Sequence, residues 1–265
     1  MSADASAGFT GERLPGGGDA TFQIDMERHL AAYRYAAARA AGKRVLDAGC
    51  GEGYGAALLA GVARRVLGVD REEAVATARG RYGTPTLEFR ALDLMQLPAL
   101  GERFDLVVSF QVIEHLPDPT GFLRGLAGCV APGGTLIVTT PNRLMSVSEN
   151  PYHLREWTAP ELLALAREVI PAARVLGVHG SEAVMAYERA RGEQVRRILR
   201  LDPLGLRRLI PTPVVHFAFS RLAKLVRRRV ADGGITTVGP GDFQVRADDL
   251  DRAMDLVILV DSATA

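Results

Sequence analysis

Residues 44 to 55 read Arg44-Val45-Leu46-Asp47-Ala48-Gly49-Cys50-Gly51-Glu52-Gly53-Tyr54-Gly55, a short apolar strand running into a turn with glycine at every second position. Val45 and Leu46 are the side chains of a buried parallel strand. Gly49, Gly51, Gly53 and Gly55 lack the Cβ that would hold a ligand off the backbone. The stretch from Ala56 to Ala63 reads as a helix whose N-terminal amides face the turn. Strand, glycine turn and helix N-terminus together make a cradle for a nucleotide-type cofactor at the carboxyl edge of a sheet.

Spacing selects the cofactor. A dinucleotide fingerprint needs glycine at the first, third and sixth positions, and counting from Gly49 the sixth is Tyr54. Counting from Gly51 places Ala56 sixth and leaves Gly53 unexplained, so a nicotinamide dehydrogenase is disfavoured. The run Leu46-Asp47-Ala48-Gly49-Cys50-Gly51-Glu52-Gly53 instead resembles the first motif of class I S-adenosyl-L-methionine (SAM) methyltransferases, including the strand-borne acid Asp47. That resemblance implies SAM as cofactor, S-adenosyl-L-homocysteine as its product, and contacts from Asp47, Gly49, Cys50, Gly51 and Gly53.

Size and charge agree with a small-molecule enzyme. The chain has 265 residues and a net charge of +1, enough for one α/β domain with additions and too balanced for steering onto nucleic acid. Cys50 and Cys129 form neither a disulfide framework nor a metal-ligand spacing, which fits a reducing cytoplasm. Met1 to Ala20 lacks the charged and apolar regions of a secretory signal and is expected to be mobile. No stretch has the continuous apolar length of a membrane span.

The rest of the chain repeats strand and helix. Residues 21 to 41 carry Phe22, Ile24, Met26, Leu30 and Tyr33 at roughly helical spacing, for a helix that acts as a lid or simply packs on the sheet. Arg65 to Asp70 is the second strand, ending in an acid able to accept from a ribose diol; the resemblance assigns that role to Asp70, with Arg71 beside it. Leu87 to Pro98 reads as a third short strand followed by a turn. By resemblance Asp93 accepts from the adenine amino group and Leu94 forms an apolar wall, the alternative for Asp93 being a turn residue. Phe104 to Phe110 is the fourth strand, and Phe110 with Gln111 is expected to line the methionine pocket.

Glu114 and His115 follow. This stretch resembles quinone-pathway O-methyltransferases, whose Glu-x-x-Glu-His set binds metal, but the first acid here is Gln111, a weaker ligand for a hard cation. No metal ligands are therefore expected. His115 reads either as a general base or as a packing residue. Phe122 to Val130 is a helix, Thr135 to Thr140 the fifth strand, and Thr158 caps a helix over Pro160 to Val169 with Trp157 packed beneath. The run Tyr152-His153-Leu154-Arg155-Glu156-Trp157, like Phe9 to Arg13, resembles a glycan-associated group of bacterial methyltransferases. His153 is the leading candidate base, with loop ordering as its other reading.

Strands are expected at Ala173 to Gly180 and Met254 to Asp261 as an antiparallel pair, separated by a long insertion. From Ala186 to Val230 it holds twelve basic residues against three acidic, a balance of +9. Either it packs as a lid, or Arg227 to Arg229 and their apolar neighbours touch an anionic membrane.

The expected architecture is thus an α/β, doubly wound, seven-stranded Rossmann-like sheet with an antiparallel last strand. Its parts are an N-terminal segment and lid helix (1–42), a SAM-binding core (43–181), a basic helical insertion (182–239) and the last strand (240–265). The resemblance implies methyl transfer to a hydroxyl of a sugar or glycosylated metabolite. A quinone or phenolic O-methyltransferase, or a SAM-binding module without catalysis, are the alternatives. The expected location is cytoplasmic, near a membrane if the insertion binds one.

Overall fold

Alternation along the strands divides the core between the two faces of one sheet. Val45, Val66, Leu106, Val108 and Ile137 join the core on one face, while Leu46, Leu67, Val107, Leu136 and Val138 join the core on the other. Successive side chains of a strand point to opposite faces, so runs apolar at every position are buried on both sides. The structure is a computed structural model and describes residues 22–146, 150, 152–199 and 238–261. Phe9 to Arg13 and the basic run Arg200 to Arg229 lie outside those residues.

In chain order the strands are β1 (Arg44–Ala48), β2 (Arg65–Asp70), β3 (Leu87–Ala91), β4 (Phe104–Phe110), β5 (Val130–Pro141), β6 (Arg174–Gly180), β7 (Phe243–Arg246) and β8 (Asp255–Asp261). The helices are α1 (Gln23–Ala37), α2 (Tyr54–Ala60), α3 (Glu72–Tyr82), α4 (Pro119–Cys129), α5 (Ala159–Val169) and α6 (Glu182–Leu199). The sheet order is β3-β2-β1-β4-β5-β8-β6-β7. Strands β1 to β5 pair in parallel, and β8 runs antiparallel to both β5 and β6.

The seven expected strands are present. An eighth, β7, pairs antiparallel with β6 at the sheet edge and was not foreseen, because Phe243 to Arg246 is only four residues long and carries no sustained alternation. Helix α4 starts three residues earlier than expected, at Pro119. Asp118 precedes it and accepts from the Gly121 N–H at 2.8 Å, so Asp-Pro is the start signal. Helix α5 begins as read, with Thr158 and Glu161 in a reciprocal capping box and Trp157 buried beneath. Among the described residues no helix is long and apolar enough to cross a membrane.

Chain reversal between β1 and β4 opens the crevice at the carboxyl edge. Helix α1 covers it, anchored by Phe22, Ile24 and Tyr33, all buried. The Tyr33 ring lies flat against Gly55, at the place where any Cβ would have to stand. Gly55 is therefore small for the sake of Tyr33, not of a ligand. We expect Gly55→Ala to lower stability by about 1–3 kcal/mol through overpacking. Urea unfolding should show that loss shrinking in a Tyr33→Leu background, where the ring is gone.

Candidate functional site

The carboxyl ends of β1 to β5 and the N-terminal end of β8 surround a cavity of about 880 Å³. That volume lies in the upper part of the roughly 300–1,000 Å³ range of small-molecule sites. Gly49, Cys50, Gly51, Asp70, Arg71, Asp93, Leu94, Phe110, Gln111, His115 and His153 all line it, as the sequence reading requires. Asp47 and Gly53 stand behind this wall. Asp47 is fully buried and accepts the Tyr33 hydroxyl at 3.0 Å, and a Cβ on Gly53 would meet Ala78 and Phe89 at 2.8 Å.

Gly51 is the glycine that faces open space. Its φ of +53° belongs to the left-handed region, and a Cβ there would meet nothing within 4 Å. Its N–H donates to Asp70 Oδ2 at 2.8 Å, and the Arg71 N–H donates to Asp70 Oδ1 at 2.7 Å. Two backbone amides thus hold the Asp70 carboxylate at the cavity wall, and each oxygen retains a second lone pair. Asp93 accepts from Met95 N–H at 2.9 Å as the cap of a 3₁₀ turn, Leu94–Leu100, so the turn role is real and coexists with a place on the wall. Gln111 has φ +58°, a strained conformation for a residue with a side chain, directly at the end of β4.

The two candidate histidines, 38 positions apart in the chain, meet edge to face with ring centroids 4.9 Å apart. The loop after β5 makes this happen by folding back on the 3₁₀ turn Ile113–His115. Leu154 N–H donates to the Glu114 carbonyl at 2.8 Å, and His115 Nδ1 donates to the Tyr152 carbonyl at 2.8 Å. For His153 the proton can be placed. Asn150 Oδ1 accepts from Tyr152 N–H, which turns the amide nitrogen towards His153 Nε2 at 2.9 Å. Nε2 therefore accepts, and Nδ1 donates to Glu156 Oε1 at 2.5 Å. Burial pushes the Glu156 carboxyl up, but the bonds from His153 and Ser146 outweigh it and hold the group below its ordinary value. A carboxylate on one imidazole nitrogen leaves the other as a proton acceptor facing the cavity.

Glu114, His115 and His153 also each bring one ligand atom to within 4.8 Å of the others. The expectation of no metal-binding set did not foresee this donor group, although both His153 nitrogens already have protein partners. Further residues on the wall are not among the site residues read from the sequence. Helix α1 contributes Asp25, Arg28 and His29, α2 contributes Tyr54, and β8 contributes Asp255. His29 Nδ1 is hydrogen-bonded to the Tyr54 hydroxyl, and burial, aided by the adjacent Arg28 guanidinium, lowers its pKa to about 4. His29 is thus neutral at neutral pH.

The sequence profile of the methyltransferase domain matches residues 22–171, more than half of the chain. This chain belongs to the methyltransferase domain family. A probable S-adenosylmethionine-dependent methyltransferase of Mycolicibacterium smegmatis is 45% identical over 164 residues, covering 59% of this chain and 62% of the relative. A ubiquinone biosynthesis O-methyltransferase of Rhizobium rhizogenes is 36% identical over 110 residues, covering 40% and 44%. The chain therefore spans less than two thirds of the length of either. The crystal structure of an S-adenosylmethionine-dependent methyltransferase from Mesorhizobium loti shares the fold with a TM-score of 0.54 at 16% identity, covering 89% of this chain and 98% of that one.

The Mycolicibacterium smegmatis relative depends, by its name, on S-adenosylmethionine. The residues present fit it: the open face of Gly51, the amide-held carboxylate of Asp70 and the apolar Leu94 and Phe110 line one continuous cavity.

The same cavity gives the methyltransferase domain a pH signature. Burial pushes the Glu114 carboxyl from its ordinary 4.5 up to about 8, despite the bond it accepts from Thr140. Between those values the folded chain holds a proton that the unfolded chain has released. The stability from this group is full below pH 4.5 and is lost as pH rises through about 8. Glu114→Gln cannot ionise. Relative to the parent, the variant should gain stability from pH 5 to pH 8 by up to about 1.4 kcal/mol per pH unit, read from unfolding midpoints.

Proposed function

We propose that the chain is a SAM-dependent methyltransferase that methylates a hydroxyl of a sugar or glycosylated small molecule. The observation that carries the reading is the polar wall beyond Gln111, where Glu114, His115, His153 and Asp255 line the cavity that also contains the Gly51 and Asp70 end. A polyhydroxylated acceptor finds hydrogen-bond partners on such a wall, and a flat apolar ring does not. When bound, the cofactor supplies an electrophilic methyl group. Asp70 and Asp93 serve to hold its ribose and adenine, while Phe110 and Gln111 border its amino-acid part.

His153 takes the acceptor proton at Nε2 once the hydroxyl displaces the Asn150 amide. Glu156 fixes the tautomer through Nδ1 and stabilises the imidazolium that results. Orientation within the closed cavity contributes most of the rate. A phenolic acceptor is the second reading, favoured by the resemblance to the Rhizobium rhizogenes ubiquinone biosynthesis O-methyltransferase over 110 residues.

Calorimetric titration with S-adenosyl-L-homocysteine tests the cofactor half. The parent should bind, and Asp70→Ala should weaken binding about 10- to 100-fold, the value of hydrogen bonds to a charged group. No binding by the folded parent would defeat the proposal. With a panel of methyl hexosides and phenols as acceptors, His153→Ala should lower turnover about 10²- to 10⁴-fold without changing that affinity.

A further inference from the structure

Two carboxyl groups on the acceptor side of the cavity are left incomplete by the fold. Glu114 is 1% exposed and Asp255 is 2% exposed, yet both line the cavity. Glu114 Oε2 accepts the Thr140 hydroxyl at 3.1 Å, whereas its Oε1 accepts no hydrogen bond among the described residues. Asp255 Oδ2 faces the Arg28 Nε at 3.4 Å, whereas its Oδ1 accepts no hydrogen bond of normal geometry among the described residues, the Gln111 side chain being the polar group beside this carboxyl. Buried polar oxygens are almost always satisfied, and those left over in a cavity mark a place where something else donates to them.

Sheet order brings the two together. Thr140, which holds Glu114, and Pro141 stand at the end of β5, where Pro141 is paired with Asp255 at the start of β8. Asp255 acts electrostatically on the Glu114 carboxyl and raises its pKa. The groups around them are Asp25 and Arg28 from α1, Glu188 and Arg191 from α6, Glu156 from the loop after β5, Gln111 beside Asp255, and His115, whose Nε2 lies 4.0 Å from Glu114 Oε1. Arg28 lies between Asp25 and Asp255, and Arg191 between Asp25 and Glu188, so the acids other than Glu114 and Glu156 are braced by a guanidinium.

Granted the methyl-transfer reading, on which this rests, we infer that Glu114 Oε1 and Asp255 Oδ1 form an acceptor-recognition subsite that takes two neighbouring hydroxyl donors of a sugar. The chemistry is selective. A sugar hydroxyl both donates and accepts, so it can pair with either form of these carboxyls, whereas a ligand that offers only acceptors, such as a quinone carbonyl, cannot pair with an ionised Asp255 Oδ1. The two residues bind and orient the acceptor, and His153 stays the base.

The probes are methyl hexopyranosides and their monodeoxy counterparts, offered to the full chain saturated with S-adenosyl-L-homocysteine and followed by ligand-observed saturation-transfer NMR. We expect at least one hexoside to bind the parent. Removing either of two adjacent hydroxyls, or introducing Glu114→Ala or Asp255→Ala, should weaken it about tenfold or more. Calorimetry with S-adenosyl-L-homocysteine on the same samples reports folding and the cofactor site. Deoxy analogues that all bind the parent as the full sugar does would overturn the inference without recourse to any variant. So would folded variants that bind the sugar as the parent does, or a parent that binds the cofactor product and no sugar. A parent that fails to bind the cofactor product defeats the methyl-transfer reading itself.

Discussion

The hydroxyl of Tyr33 donates to both oxygens of the buried Asp47, at 3.0 and 3.3 Å, and through that bond helix α1 is tied to the strand beneath the glycine turn. Burial pushes the Asp47 carboxyl up to about 7, so the group is costly to ionise and depends on its partner. Much of the cavity roof depends on the same bond. Tyr33 packs on Gly55 and against Phe110, which fixes the roll of α1, and that roll decides that Asp25, Arg28 and His29 face the crevice. A glycine pattern that looks like adaptation to a ligand is thus shared between ligand and protein. Gly51 leaves room for the first, and Gly53 and Gly55 leave room for Phe89 and Tyr33.

Electrostatics divide the cavity in two. At the end formed by β1, β2 and β3, the Gly51 and Arg71 backbone amides hold the half-buried Asp70 carboxyl in place. At the end formed by β4, β5 and β8, desolvation dominates, raising Glu114 and Asp255 above their ordinary values and lowering His29. A group shifted by burial returns free energy when a ligand supplies the interaction that water no longer can. The strained backbone of Gln111 lies at the junction of the two ends, where β4 stops and the 3₁₀ turn carrying Glu114 begins.

The basic insertion enters the described fold through α6. Arg191 and Glu188 on that helix pair with each other, and Arg191 reaches Asp25 on α1, so the helix that leaves the core is ionically joined to the helix that covers the cofactor cavity. Asp25 and Glu188 in this network are buried, and buried charges tolerate the loss of a partner poorly.

The sequence by itself determined the strands β1 to β5, the cofactor end of the cavity and the capped start of α5. Each of these is written locally: an apolar run of strand length, a glycine turn, an acid at the strand's end, a Thr-x-x-Glu box. Asp70 and Asp93 could be placed because the end of a parallel strand is the edge of the sheet. Tertiary structure alone decided the acceptor end. His115 meets His153 because a loop folds back by backbone hydrogen bonds, Glu156 becomes its orienting partner by that same fold, and Asp255 stands beside Glu114 because β8 inserts between β5 and β6. Apart from His153 with Glu156, three positions apart, these contacts join residues tens to more than a hundred positions apart, and their free energy resides in the packing of the whole sheet, so no local pattern records them.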